Sequence, residues 1–200
     1  YLSDLNALES SLANFSSNNI ESPTEFTGEF IDMFGKKVIP TLKSGGDKEA
    51  NLNLGELNNE IDSAMEWAIG IANDDTHGYS QNTRWGNPNY DCSSLVISAW
   101  EAAGVPVHSQ YGATYTGDMR AAFLASGQFK WIPGPVDPST LQPGDVLLNE
   151  NQHTEMYIGN GQNVGAHANR DGVDGDSSGT EISVTDYWDD NWDGVLRYTG

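Results

Sequence analysis

Asn89-Tyr90-Asp91-Cys92-Ser93-Ser94-Leu95-Val96-Ile97-Ser98-Ala99-Trp100-Glu101-Ala102-Ala103-Gly104 decides how this chain folds. Leu95, Val96, Ala99, Trp100 and Ala103 recur at the spacing of one buried helical face. Asp91 suits the N-cap and Gly104 the stop, so Cys92 falls in the first helical turn. Unpaired backbone N–H groups and the helix dipole favour a negative charge there, and so the nucleophilic thiolate. Cys92 is the only cysteine in 200 residues, which excludes a disulfide within the chain. Two readings stand at this point: an activated nucleophile, or a small buried hydrophobe.

A cysteine nucleophile needs a base, and the chain holds four histidines: His77, His108, His153 and His167. His153-Thr154-Glu155-Met156-Tyr157-Ile158-Gly159-Asn160-Gly161 alternates and ends in a turn signal, so it reads as a strand entering a hairpin. On that strand His153, Glu155 and Tyr157 share one face. Gln162 to His167 forms the returning strand, which brings His153 and His167 onto adjacent strands. A single histidine is most often a satisfied surface or core residue. A pair flanking a hairpin, downstream of a helix-start cysteine, favours chemistry.

Asp91-Cys92-Ser93-Ser94-Leu95, then Leu141-Gln142-Pro143-Gly144-Asp145-Val146-Leu147, then His153-Thr154-Glu155-Met156-Tyr157-Ile158-Gly159 resemble the NlpC-type cell-wall cysteine hydrolases. These are papain-like enzymes that cut amide bonds in bacterial peptidoglycan, and the resemblance is greatest to their bacteriophage lysin branch. Gly78-Tyr79-Ser80-Gln81, Arg84-Trp85-Gly86-Asn87, Ala166-His167-Ala168-Asn169, Gly175-Asp176-Ser177-Ser178-Gly179-Thr180-Glu181-Ile182 and Trp192-Asp193-Gly194-Val195-Leu196-Arg197-Tyr198 add to it. The likeness runs from about residue 60 to the C-terminus.

By position, the resemblance implies Cys92 as nucleophile and His153 as general base. The family's third polar residue, which orients the base, stands about twelve positions later. Here that position is Gly165. His167, the next candidate on the same strand face, is therefore expected in the role, with Asn169 as the fallback. Tyr79 is expected to help hold the oxyanion or the substrate carbonyl, with Asp91 and Ser93 flanking the nucleophile. The chemistry is acyl transfer through a thioester and requires no cofactor and no metal.

The expected fold is α+β: a papain-like core in which the nucleophile helix packs on an antiparallel sheet, with a helical N-terminal extension. A hydrolase domain is placed at 58–200 and a helical extension or connector at 1–57. Leu2, Leu5, Leu8, Leu12 and Phe15 suggest one helix, and a second is placed from about Pro23 to Leu42, before a Lys43–Lys48 linker. A further helix is placed from Leu54 to Ala72, with Ile61, Met65, Ala68, Ile69 and Ala72 as its apolar face. Strands are placed at 129–133, 145–149, 153–159, 162–168, 180–184 and 194–198. Tyr111, Tyr115 and Trp131, in a polar stretch, suit either the core or a substrate groove.

A formal charge of −20, from 9 Lys+Arg against 29 Asp+Glu, argues against nucleic-acid binding. It also argues against electrostatic capture by an anionic wall, so a separate wall-binding or virion module is expected. No apolar run approaches a membrane span. The chain starts at Tyr1 without a signal peptide, which suggests a fragment of a longer protein acting outside the cell, at the wall or on a virion. Asp174, Asp176 and Ser178 imitate half a calcium loop, but position twelve is Thr185 rather than Glu, so the loop is read as solvated.

The leading expectation is cleavage of the stem peptide between D-glutamate (or D-isoglutamine) and the diamino acid. An N-acetylmuramoyl-L-alanine amidase is the alternative, and groove shape decides between them. A non-catalytic wall-binding or tail module and an acyltransferase are the other classes.

Overall fold

The computed structural model describes residues 30–31, 37–38 and 48–200, with side chains from Asn59 onward. The chain divides into two compact units, Tyr1–Glu49 and Ala50–Gly200. In the first, β1 (Phe30–Ile31) pairs antiparallel with β2 (Lys37–Val38), Phe30 opposite Val38. This corrects the helix expected over Pro23–Leu42. Phe30, Ile31 and Val38 favour a pleated surface, and Gly28 and Gly35 weaken any helix written through them. The helix expected over residues 2–15 lies outside the described residues.

The second unit is α+β. Its helices are α1 (Lys48–Ala72, whose first two residues count with the first unit), α2 (Cys92–Ala102) and α3 (Thr116–Ala125). The expected boundary at 57/58 falls inside α1. Ala64, Met65 and Ala68 of α1 are buried, with Ile61 and Ala72 packed beside them. A six-stranded antiparallel sheet follows: β3 (Phe129–Pro133), β4 (Val146–Asn149), β5 (His153–Gly159), β6 (Gln162–Ala166), β7 (Ile182–Asp186) and β8 (Gly194–Tyr198). Their order across the sheet is β3-β8-β4-β5-β6-β7.

α2 packs on β5 and β6 at the centre of the sheet. Leu95, Val96, Ile97, Ala99 and Trp100 are essentially inaccessible, and Trp100 meets Phe129 and Tyr198 at ring separations of 4.9 and 5.0 Å. Burying side chains of this size contributes roughly 1.5–3 kcal/mol each, which fixes the helix on the sheet. The Leu141–Leu147 motif serves the same end. Gly144 adopts φ +88°, and a Cβ there would stand 2.8 Å from Ile61. Asp145, buried, receives Nε and Nη2 of Arg197 at 2.8 and 2.7 Å and so ties the start of β4 to β8.

α3 was not expected. Met119, Ala122 and Phe123 form its buried face at helical spacing, and Asp118 accepts the backbone N–H groups of Thr114 and Tyr115 at its start. Tyr111 and Tyr115 are exposed, so neither belongs to the core. Trp131 is half-buried beneath the Arg120 guanidinium.

Candidate active site

The site is built where the start of α2 meets β5. Asp91 caps the helix: its Oδ1 accepts the N–H of Ser94 at 2.8 Å, and its own N–H donates to Ser94 Oγ at 2.9 Å. Cys92 is then the first helical residue, 9% exposed, at the positive end of the helix dipole. Arg84 fastens this turn. Its Nε donates to Asp91 Oδ2 at 2.6 Å, and Nη2 donates to Ser93 Oγ and to the carbonyl of Thr114. The side chains of Asp91 and Ser93 are thus occupied in holding the helix start, and both are buried.

His153, the first residue of β5, stands close enough to Cys92 for the two side chains to interact. Its Nε2 meets Glu155 Oε1 at 3.1 Å, which leaves Nδ1 for the cysteine. Burial lowers the affinity of this imidazole for a proton. The hydrogen bonds to Cys92 and then Glu155, and the charge of each, outweigh burial and push its pKa up to about 9.

Glu155 is the residue that sequence reasoning missed. Its side chain has no exposed surface. Oε1 receives His153 Nε2 at 3.1 Å, with His167 Nδ1 standing equally close, while Oε2 receives Asn163 Nδ2 at 2.9 Å and Trp188 Nε1 at 3.2 Å. Three N–H groups therefore hydrogen-bond to one buried carboxylate, and a second imidazole stands against it. The signal was present twice: Glu155 shares a strand face with His153, and Gly165 stands where the resemblance calls for a polar side chain. β6 pairs with β5 so that Gly165 lies against Glu155, and a Cβ on Gly165 would stand 2.7 Å from Oε1. The missing side chain leaves the room that the carboxylate fills.

His167 follows β6 and reaches His153 only through Glu155; the two rings are 6.1 Å apart. Burial, ahead of the opposing pull of Glu155, lowers the His167 pKa, so its ring is neutral where His153 is charged. Asn169 is exposed and turned into its own loop, accepting the N–H of Gly172. Trp188 and Trp192 flank His153 at 5.6 and 6.0 Å between rings.

Tyr79 is brought to the helix start by long-range bonds. Its N–H donates to the buried Glu181 at 2.8 Å, and Asn89 Oδ1 accepts from Gly78 and Gly175 at 3.0 Å each. Burial, and then the charges of Cys92 and Asp91, raise the Tyr79 pKa, which keeps its hydroxyl a neutral donor. The Asp171–Gly179 loop contributes to this scaffold. Asp176 is buried and accepts from Ser178 Oγ and from the N–H groups of Thr180, Glu181 and Ile182. Among the described residues, only His153, Glu155 and His167 group with the donor spacing of a metal site. No helix among them is long and apolar enough to cross a membrane.

The model of the endolysin-like domain family matches residues 54–164. No curated protein matches. Among solved structures, the chain is similar to the peptidoglycan hydrolase RipB of Mycobacterium tuberculosis, at 18% identity and a TM-score of 0.48, covering 78% of this chain and 73% of that one. It is also similar to the P60 domain of an antigen from M. avium subspecies paratuberculosis (17%, TM-score 0.44, 73% and 96% covered) and to NlpC1 from Trichomonas vaginalis (20%, TM-score 0.45, 70% and 44%). With more than half of its residues matched by the family model, this chain belongs to the endolysin-like domain family.

Proposed function

We propose that this protein is a peptidoglycan hydrolase that cuts an amide bond of the stem peptide, between D-glutamate or D-isoglutamine and the diamino acid, with Cys92 as nucleophile. The arrangement that carries the reading is a helix-start cysteine beside a histidine that is backed by a buried carboxylate. Membership of the endolysin-like family supports the wall as substrate. Neither separates the stem-peptide bond from the N-acetylmuramoyl-L-alanine bond, which the test below does.

In this reading the Cys92 thiolate attacks the scissile carbonyl carbon. Backbone N–H groups at the start of α2 and the Tyr79 hydroxyl donate to the oxyanion that forms. His153 passes its Nδ1 proton to the departing amine nitrogen as the C–N bond breaks, leaving a thioester on Cys92. Neutral His153 then takes a proton from water, whose oxygen attacks the thioester, and the thiolate leaves as the carboxylic product forms. Glu155 positions the ring and stabilises the imidazolium, while His167, Asn163 and Trp188 keep the carboxylate in place. The site of action is the wall, from outside the cell or from a virion. A separate module supplies wall affinity, because a chain of charge −20 is repelled by an anionic wall.

Mass spectrometry of peptidoglycan digested by the wild type and by Cys92→Ala tests the reading. New amino termini on the diamino acid, absent with the variant, are expected. Free stem peptides beginning with L-alanine would assign the amidase reaction instead. Absence of cleavage on several wall types would leave a wall-binding module as the better account.

A further inference from the structure

His153, Glu155 and His167 each offer one ligand atom, and the three atoms lie within 4.8 Å of one another. His153 Nε2 and His167 Nδ1 each stand 3.1 Å from Glu155 Oε1. Donors bound to Zn²⁺ at the usual ~2.0–2.1 Å are separated by about 3.3 Å at the corners of a tetrahedron. Two edges of such a site are therefore nearly at length already, and an ion enters by replacing the His153–Glu155 hydrogen bond and bridging the close approach of His167.

The surroundings suit this exchange. Asn163 and Trp188 hold Oε2 of Glu155, as outer partners hold a ligating carboxylate. His153 and His167 keep 12% and 16% of their side chains exposed, so the group is reachable from solvent. Two imidazoles and one carboxylate with a fourth position for water form a donor set that suits zinc-like ions.

We propose that His153, Glu155 and His167 form an inhibitory site for a divalent transition-metal ion of the zinc type. Both rings ligate in their neutral form: His153 releases one proton to solvent and retains Nδ1–H, and His167 carries its proton on Nε2. With the ion on Nε2, the His153 ring has no lone pair to accept a proton from water, and Glu155 no longer backs an imidazolium. Metal binding and hydrolysis therefore exclude one another. The exclusion rests on the Cys92–His153 reading above; the binding itself does not.

Isothermal titration of the metal-stripped full chain with ZnCl₂ tests the binding, using wild type, Cys92→Ala, Glu155→Gln and His167→Asn, each checked for a cooperative thermal melt. One saturable site per chain is expected in the wild type and in Cys92→Ala, weakened by about 100-fold or more in Glu155→Gln and in His167→Asn. His167 is partly exposed, so its variant carries the test if Glu155→Gln does not fold. Three results would overturn the proposal: only weak, non-saturating binding to the acidic surface, a site that survives both ligand variants, or a site lost in Cys92→Ala. A saturable site in a protein that cleaves no wall would sink the hydrolase reading and leave the metal site standing.

Discussion

Glu155 Oε1 lies 3.1 Å from Nε2 of His153, two residues along the same strand, on a side chain with no exposed surface. A buried carboxylate with no lysine or arginine bonded to it is stable only if donors fill its lone pairs and a positive charge stands close. The donors are His153, Asn163 and Trp188, with His167 close by, and the charge is the His153 imidazolium.

Glu155→Gln keeps the volume and removes the charge. The amide also turns an NH₂ group toward at least one of the three N–H donors, leaving a buried donor unpaired at about 1–3 kcal/mol. We expect kcat/KM on purified peptidoglycan to fall by about 100-fold or more, since the acid–base step loses its charged support. A rate within about twofold of wild type would show that Glu155 is only a structural residue.

Gly165→Ala tests the same carboxylate from the neighbouring strand. The added Cβ would stand 2.7 Å from Glu155 Oε1 and 2.8 Å from its Cγ, so the side chain must move. Overpacking of this kind costs about 1–3 kcal/mol. Because His153 moves with Glu155, activity should fall by about 100-fold, out of proportion to the change in Tm. Unchanged kinetics with a lowered Tm would uncouple the carboxylate's position from the chemistry.

The sequence makes α2 and the β5–β6 hairpin legible because their signals are local: a capping aspartate, a helical apolar stripe, and an alternating strand running into Gly159-Asn160-Gly161. What it hides is non-local. Glu155 sits on the readable strand face, but its bond to Asn163 comes from β6 and its contact with His167 from just beyond that strand, and only the cross-strand register shows why Gly165 has no side chain. Tyr79 owes its place to Glu181, 102 residues away, and no short-range pattern predicts that pairing. α3 was legible in principle from Met119, Ala122 and Phe123; the tyrosines and glycines around them masked a short helix.

Arg84 binds the cap of the helix that carries the cysteine. Its guanidinium contacts Asp91, Ser93 and the Thr114 carbonyl at once, which a lysine ammonium cannot reproduce. Arg84→Ala leaves the Asp91 carboxylate buried without its cation, at a cost of about 3 kcal/mol. Urea denaturation should show that loss, and Arg84→Lys should recover only part of it. Full recovery with lysine would mean that charge alone matters, not the fork.

The pH dependence follows from His153. Burial pulls its proton affinity down, but the bonds to Cys92 and Glu155 carry the pKa up to about 9, from an ordinary 6.5. A folded-state value above the unfolded one gives stabilisation that is complete below the unfolded pKa and disappears as pH rises through the folded value. Stability from this group should therefore be full below about pH 6.5 and fade toward about pH 9. The alkaline limb of kcat/KM should fall near the same upper value, because the proton given to the leaving amine is lost there. Imidazole NMR titration should find His153 charged at neutral pH and His167 neutral. In Cys92→Ala the His153 value should drop, since the cysteine's hydrogen bond and charge both raise it. In Glu155→Gln the alkaline limb should move to lower pH for the same reason. A wild-type His153 that titrates at or below 6.5 would remove the charged histidine on which the proposed proton transfer depends.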